Sequence, residues 1–264
     1  MGTSLTAVER AERLARYYDL DTLDVSYDAE LYLQLAHEAG GDVLELAIGS
    51  GRVAIPLALA GHRVVGVDDD PAMLARGRDA WRDQRGEADA DRLEFLEGDF
   101  QTFRADGRFG LVLIAVNTFL LAEDDDARLR ILASMREHLR PGGVAVIEVS
   151  TPDDEELARY DGRIQHEWLR TDPATGEQVS KHISARYEPE EGTVSLTQIY
   201  EWTPAHGGPI SRVAKVDVLH LVEAQHLAEL ARRAGFDEVD PRGDHLASPH
   251  GAGSHRLILL ARLV

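Results

Sequence analysis

Residues Gly41 to Asp70 read GDVLELAIGSGRVAIPLALAGHRVVGVDDD: a strand, a glycine turn, a helix, and a second strand that ends in an acid. Val43, Leu44, Leu46 and Ala47 make the short apolar run expected of a parallel strand covered on both faces. Gly49 and Gly51 permit a sharp turn and a close approach of backbone to ligand. Val53, Ile55, Leu57, Ala58 and Leu59 carry the helix and Gly61 ends it; Pro56 is tolerable only in the first turn. The second strand, Arg63 to Val67, delivers Asp68. A right-handed crossover brings the turn and Asp68 together at the carboxyl edge of the sheet. Peptide N–H groups there meet a ligand, and Asp68 can accept from two vicinal ribose hydroxyls. The stretch therefore predicts a site for a nucleoside cofactor.

Gly49 to Ala54 also satisfies GxGxxA, and an acid about 20 residues on fits the dinucleotide fingerprint. Three features point elsewhere. Glu45, just before the turn, would repel a pyrophosphate but suits an ammonium group; Glu97-Gly98-Asp99-Phe100 follows one strand; and Arg140-Pro141-Gly142-Gly143 precedes another. With these the chain resembles the class I S-adenosylmethionine (SAM) methyltransferases over roughly residues 14 to 150, with a weaker match at the C-terminus. In that family an acid-x-G-x-G-x-G turn holds the methionine end, the second-strand acid holds the ribose, and a Gly-Asp pair addresses the adenine. Ala47 stands where the first motif glycine falls, a departure from the pattern.

The resemblance implies an α/β fold: a Rossmann-like, seven-stranded methyltransferase sheet flanked by helices. It implies SAM as cofactor, S-adenosylhomocysteine as product, and cofactor contacts from Tyr18, Tyr27, Glu45, Ala47, Gly49, Gly51, Asp68, Asp69, Met73, Asp99, Phe100 and Val116. Tyr18 and Tyr27 stand in the leading segment, where related enzymes fold a tyrosine over the cofactor; alternatively they staple a helix to the core. Asp70-Pro71 starts the helix that carries Met73, with Asp70 as N-cap and Pro71 at the first position.

Lys and Arg total 28 against 47 Asp and Glu, a formal net charge of -19. Such a field repels polyanions, so nucleic acid is excluded as a partner, and the acidity otherwise reads as solubility. With no Cys there is neither a disulfide framework nor a thiolate metal site. No HxxxH or HxH pair falls on a predicted helix, so no metal is expected. The charged N-terminus lacks an apolar leader core, and the longest apolar run, Leu111 to Val116, is too short to span a bilayer. The expectation is a cytoplasmic protein without membrane contact.

Along the chain, helices are predicted over Val8–Tyr18, from Tyr27 or Asp28 to Ala39, and from Asp125 or Asp126 to Leu139. Strands follow at Arg92–Leu96, Phe109–Val116 and Val144–Val149. From Thr151 the pattern changes to alternation, with turn signals at Asp172–Gly176, Glu190–Gly192 and His206–Pro209. This predicts an inserted antiparallel meander of about four strands, a roof for the active site or a homodimer contact. Helix Gln225–Ala234 and a strand His255–Leu263 close the chain, the latter entering antiparallel. Three regions result: 1–150 (leading helices and cofactor-binding core), 151–222 (the inserted β subdomain) and 223–264 (the helix and strands completing the core).

In-line displacement at a sulfonium methyl asks the protein to align a nucleophile and exclude water. A hydroxyl acceptor needs a base; an amine need only be neutral. Three residues are candidates for the reacting end. His220 ends the last strand of the insert and has the pKa nearest neutrality. Glu148 ends the fifth strand, as base or as a structural ion pair, and Asn117 ends the fourth, facing the acceptor or capping a turn. The expected function is methyl transfer from SAM to N or O of a small molecule: a sugar, an amino sugar or another natural-product intermediate. The alternatives are a SAM-binding cyclase, decarboxylase or scaffold of the same fold, and a nicotinamide-dependent oxidoreductase.

Overall fold

The computed structural model describes residues 5–24 and 28–264. In chain order the helices are α1 (Ala7–Thr22), α2 (Ala29–Ala39), α3 (Ala54–Leu59), α4 (Pro71–Gln84), α5 (Asp125–His138), α6 (Asp154–Arg159) and α7 (Ala224–Arg233). The strands are β1 (Val43–Leu46), β2 (Val64–Asp68), β3 (Leu93–Glu97), β4 (Phe109–Ile114), β5 (Leu139–Ser150), β6 (Gln165–Thr171), β7 (Gln178–Glu188), β8 (Thr193–Thr203), β9 (Ser211–His220), β10 (Glu238–Arg242) and β11 (Arg256–Arg262). They form two compact units. One joins residues 5–24 with Asp154–Leu221; the other comprises residues 28–153 and Val222–Val264.

The larger unit is built on a sheet of order β10-β11-β5-β4-β1-β2-β3. Its pairs are parallel except those of β11, which runs antiparallel to both β5 and β10. Every residue of β1 and β4 is buried, as central strands covered on both faces require. Leu35 and Ala36 of α2, Ile55 and Leu57 of α3, and Leu111, Val144 and Ile258 of the sheet share one core. Pro56 is the third residue of α3, in its first turn, where no intrahelical N–H is lost. Asp70 caps α4, accepting from the Ala72 N–H at 2.8 Å, with Pro71 next.

Several boundaries shift from the sequence reading, and two of the shifts have a clear backbone cause. β4 stops at Ile114 rather than Val116, because Val116 (φ 46°) and Asn117 (φ 55°) are left-handed and end the pleat. β5 starts at Leu139, which pairs with Phe109; pairing resumes at Val144 with Leu111, so the Arg140–Gly143 turn bulges out of the ladder.

The smaller unit is an antiparallel meander, β6-β7-β8-β9, with α1 on it. Tyr17 and Leu20 of α1 are buried with Val179, Tyr200, Trp202 and Val213. Arg13 stacks its guanidinium over the Trp202 ring at 4.2 Å and pairs with Glu177 at 3.0 Å, while Arg16 pairs with Asp172 and Glu177. The sequence reading grouped α1 with residues 1–150; its packing groups it with the meander, for its aromatic face and both arginines find their partners there.

Gly66, in the middle of β2, lies against Ile48 at the base of the glycine turn. A Cβ there would stand 2.0 Å from Ile48 Cδ1 and 2.8 Å from its Cβ. Gly66→Ala is expected to cost about 1–3 kcal/mol through overpacking. The urea midpoint measures it, and a midpoint equal to that of the parent would show that Ile48 moves aside without cost.

Candidate active site

The exits of β1, β2 and β3 meet at the carboxyl edge of the larger sheet. Past β1 the chain turns through Ala47 (φ 59°), Gly49 (φ 57°) and Gly51 (φ 86°). The Gly49 N–H donates to Asp68 Oδ2 at 2.8 Å, and the Asp70 N–H donates to Asp68 Oδ1 at 2.9 Å. One carboxylate thus fixes both the turn and its own strand exit, and each oxygen keeps a lone pair for a further donor. Burial raises the Asp68 pKa, opposed by these two backbone hydrogen bonds. The place a Gly49 Cβ would take has no atom within 4 Å, so the turn faces open space there. At Gly51 the same atom would meet Ile55 and Phe95 at 3.1 Å, so this glycine serves packing.

The third exit is tied in by the Gly98 N–H, which donates to the Asp68 carbonyl at 3.0 Å. Asp99 follows, exposed, its Oδ1 accepting from the Gln101 N–H at 2.8 Å, and Phe100 is half-buried. Asp69 is exposed and Met73 half-buried in the first turn of α4. Val116 is 42% exposed in its left-handed conformation beyond β4. Eight residues assigned to the cofactor from the sequence (Ala47, Gly49, Gly51, Asp68, Asp69, Met73, Asp99 and Phe100) thus lie on the turn, the strand exits and the helix start at one edge. Tyr18 is half-buried on α1, in the smaller unit, and Tyr27 lies outside the described residues.

Glu45 is buried on β1, and its Oε2 has no hydrogen-bond partner among the described residues. Beside it Arg52 forms a two-pronged ion pair with buried Asp28, at 2.7 and 2.8 Å. Burial pushes the Glu45 pKa up to about 8, against the pull of the Arg52 charge and a hydrogen bond from the Ala54 N–H. A buried carboxyl oxygen that lacks a donor, three residues ahead of Ile48 and within electrostatic range of Asp68, fits a ligand that brings its own N–H donors. Glu45 for an ammonium, Asp68 for vicinal hydroxyls and the open face of Gly49 together fit an aminoacyl nucleoside.

Further along the edge, Glu148 on β5 is fully buried. Its Oε2 accepts from the Tyr32 hydroxyl at 2.5 Å; its Oε1 accepts from Arg256 and meets His245 Nε2 at 3.2 Å. Burial alone would raise its pKa, but the hydrogen bonds from His245 and Tyr32 and the Arg256 charge outweigh that and hold it low. Asn117 Oδ1 accepts from the Ser150 N–H at 2.6 Å, and the Asn117 N–H donates to the Glu148 carbonyl at 3.0 Å. Its side chain ties the exits of β4 and β5 together and makes no capping hydrogen bond to the turn that follows, the alternative weighed for it in the sequence. His220 ends β9 opposite Thr193, in the smaller unit.

Asp28, Tyr32, Arg52, His245 and Arg256 were not singled out from the sequence. Tyr32 falls on the inward stripe of α2, which announces burial but not the hydroxyl's partner; the other four carry no spacing signal. Among the described residues no group of three or more His, Cys, Asp or Glu could hold a metal ion, and no helix is long and apolar enough to cross a membrane.

The raised pKa of Glu45 has a sign for stability. Between its ordinary 4.5 and about 8 the folded protein holds a proton that the unfolded chain releases, so this group lowers stability as pH climbs through that window. Glu45→Gln removes the effect. Its stability relative to the parent should therefore rise with pH across the window, by at most about 1.4 kcal/mol per pH unit. Urea titrations of both proteins read the difference; a gap independent of pH would refute a protonated Glu45.

Residues 43–143 match the family described as a methyltransferase domain. A cypemycin N-terminal methyltransferase from a Streptomyces species is 26% identical over 226 residues, 84% of this chain and 82% of that protein. Among solved structures, the CcbJ methyltransferase of Streptomyces caelestis aligns with a TM-score of 0.75 at 23% identity, covering 92% of this chain and 98% of that one. The sugar N-methyltransferase KedS8 of Streptoalloteichus sp ATCC 53650 aligns with a TM-score of 0.75 at 20% identity, over 100% of this chain and 96% of that one. The matched domain spans β1 to the bulge of β5 and so contains the whole Glu45–Asp68–Asp99 edge. Residues 43–143 are thus a methyltransferase domain, with S-adenosylmethionine as its cofactor.

Proposed function

We propose that this methyltransferase acts on a free amine of a small natural-product intermediate, an amino sugar or the amino terminus of a peptide. The observation that carries the cofactor half of this reading is the pairing of the unpartnered Glu45 oxygen with the doubly anchored Asp68. Glu45 would take the cofactor's ammonium, Asp68 its ribose hydroxyls, and Asp99 with Phe100 its adenine. The cofactor supplies an electrophilic methyl group on a sulfonium. What the chain supplies is alignment and a dry site, because displacement at that carbon needs little else.

The amine half is supported by the relatives. One is named an N-terminal methyltransferase and another a sugar N-methyltransferase. The net charge of -19 favours neutral or cationic acceptors over polyanions. The experiment is a panel of nucleotide-activated amino sugars and short peptides, each paired with its N-acetylated and hydroxyl counterpart. It is read by S-adenosylhomocysteine release and by the mass of the acceptor. Turnover is expected on free amines and not on their N-acetyl partners. Turnover confined to the hydroxyl compounds would overturn the amine reading; methylthioadenosine in place of S-adenosylhomocysteine would overturn methyl transfer itself.

Asp68→Ala should weaken S-adenosylhomocysteine binding by about 2–4 kcal/mol, the loss of two charge-assisted hydrogen bonds. Titration calorimetry measures it, with Asp68→Asn, which can still accept from the Gly49 N–H, expected to lose less. An unchanged affinity in the alanine variant would remove Asp68 from the ribose site.

A further inference from the structure

The proposed adenine contacts, Asp99 and Phe100, open the stretch between β3 and β4, and residues 99–108 form neither helix nor strand. Such a stretch has no ladder to fix it and depends on its ends. The near end is held at Gly98, whose N–H donates to the Asp68 carbonyl. A turn then closes on Asp99, whose carbonyl accepts from the Thr102 and Phe103 N–H groups at 3.1 and 2.8 Å. The far end is held by α5. On the surface, Arg104 donates to Ser134 Oγ at 3.1 Å and pairs with Glu137 at 3.2 Å. Beneath it lies His138, the last residue of α5 and only 2% exposed.

His138 Nδ1 lies 2.7 Å from the Ser134 carbonyl oxygen, and its Nε2 accepts from the Ala105 N–H at 2.9 Å. A carbonyl only accepts and an amide N–H only donates, so the ring is the neutral tautomer with its proton on Nδ1. Phe103 lies nearly parallel to it, the ring centroids 6.1 Å apart and the planes 18° from parallel, and Phe109 of β4 tilts against it at 6.4 Å. Phe103 in turn packs toward the β3 exit, for a Cβ on Gly98 would come within 3.2 Å of Phe103 Cδ2. Both ring nitrogens are thus committed inside the fold. A second proton would set an Nε2–H against the Ala105 N–H, two donors facing each other, and the Ala105 hydrogen bond would be lost. Burial pushes the His138 pKa below its ordinary 6.5. The charges of Arg104 and Arg108 from the segment add to that, while the Ser134 carbonyl and the Glu137 charge from α5 oppose it.

We propose that His138 positions the adenine end of the cofactor site by holding Ala105, and that a second proton on its ring releases the segment. The proposal rests on the reading above, in which Asp99 and Phe100 meet the adenine. His138 acts on the cofactor through Ala105 and Phe103 and is a positioning residue. Its state follows pH with a definite sign. A ring freed from the fold takes a proton at about 6.5 that the packed ring refuses, so the held segment loses ground as pH falls below that value, by at most about tenfold per pH unit. Above 6.5 neither form binds the proton and the hold is complete.

Two measurements test it. The first needs no ligand and only the variant His138→Gln, whose amide oxygen can accept from the Ala105 N–H without titrating. Long-range ¹H–¹⁵N spectra of the full chain, with His138 assigned by its absence in that variant, should show the Nδ1–H tautomer at neutral pH. Hydrogen-exchange protection of the Ala105 amide should fall about threefold or more between pH 7 and pH 5 in the parent and hold steady in His138→Gln. An Nε2–H tautomer, or protection that falls equally in the variant, overturns the proposal. The second measurement compares S-adenosylhomocysteine with S-inosylhomocysteine, whose base carries a carbonyl in place of the exocyclic amine, by calorimetry at pH 7. The parent should prefer the adenine ligand. In His138→Leu that preference should shrink about three- to tenfold, the worth of one hydrogen bond, and His138→Gln should keep it. Equal weakening of both ligands in His138→Leu would mark a merely structural role and overturn the proposal, as would an unchanged preference. A parent that binds the two ligands equally removes Asp99 from the adenine and the positioning role with it; the exchange measurement then still decides whether His138 holds the segment.

Discussion

The hydrogen bonds that Asp68 accepts from the Gly49 and Asp70 N–H groups hold the site together. A turn with three residues at positive φ has no regular ladder to stabilise it, and Asp68 supplies a fixed point from the neighbouring strand. The Asp68 carbonyl does the same for the β3 exit through Gly98. Three strand ends that could splay apart are thereby tied to one residue, and the ligand meets a preformed surface. The cost is a carboxylate partly removed from water, which is why burial pushes its pKa upward even with two backbone donors in place.

Two other acids of this edge show how surroundings divide one chemistry into two roles. Glu45 and Glu148 are both buried on central strands. Glu45 has one backbone donor, a neighbouring arginine already engaged with Asp28, and an oxygen without a donor, so desolvation wins and the proton stays on. Glu148 has Tyr32, His245 and Arg256, so desolvation loses and the charge stays on. The first is left with a buried oxygen open to a ligand's N–H donor; the second has its donors within the fold.

What could be read before folding was what depends on local spacing. The strand, glycine turn, helix and acid of residues 41–70, the capped start of α4 and the hairpin turns of the meander all announce themselves within a few residues. The antiparallel entry of β11 was legible because its apolar run admits either direction and the resemblance chose one. Pairings at long separation left no such mark. Tyr32 and Glu148 are 116 residues apart, His245 and Glu148 97, and nothing in either neighbourhood distinguishes that histidine from the other ten. The left-handed backbone at Val116 was hidden by its side chain, since a β-branched residue argues for continued strand. Likewise α1 has helical periodicity, but periodicity does not say which sheet its aromatic face will cover.

The membership of α1 in the smaller unit bears on the order in which the protein is made. Its aromatic face is synthesised first, whereas Val179, Tyr200, Trp202 and Val213, which bury it, emerge only after the chain has passed through most of the larger unit. The larger unit is itself unfinished at that moment, because β10 and β11 come last. Neither unit can close as the ribosome delivers it, and β5 waits at what is temporarily an edge until β11 arrives. Contacts of such long range slow folding and leave apolar surface uncovered for longer. A nascent chain of this topology depends on dilution or on chaperones more than a protein whose units follow one another in sequence.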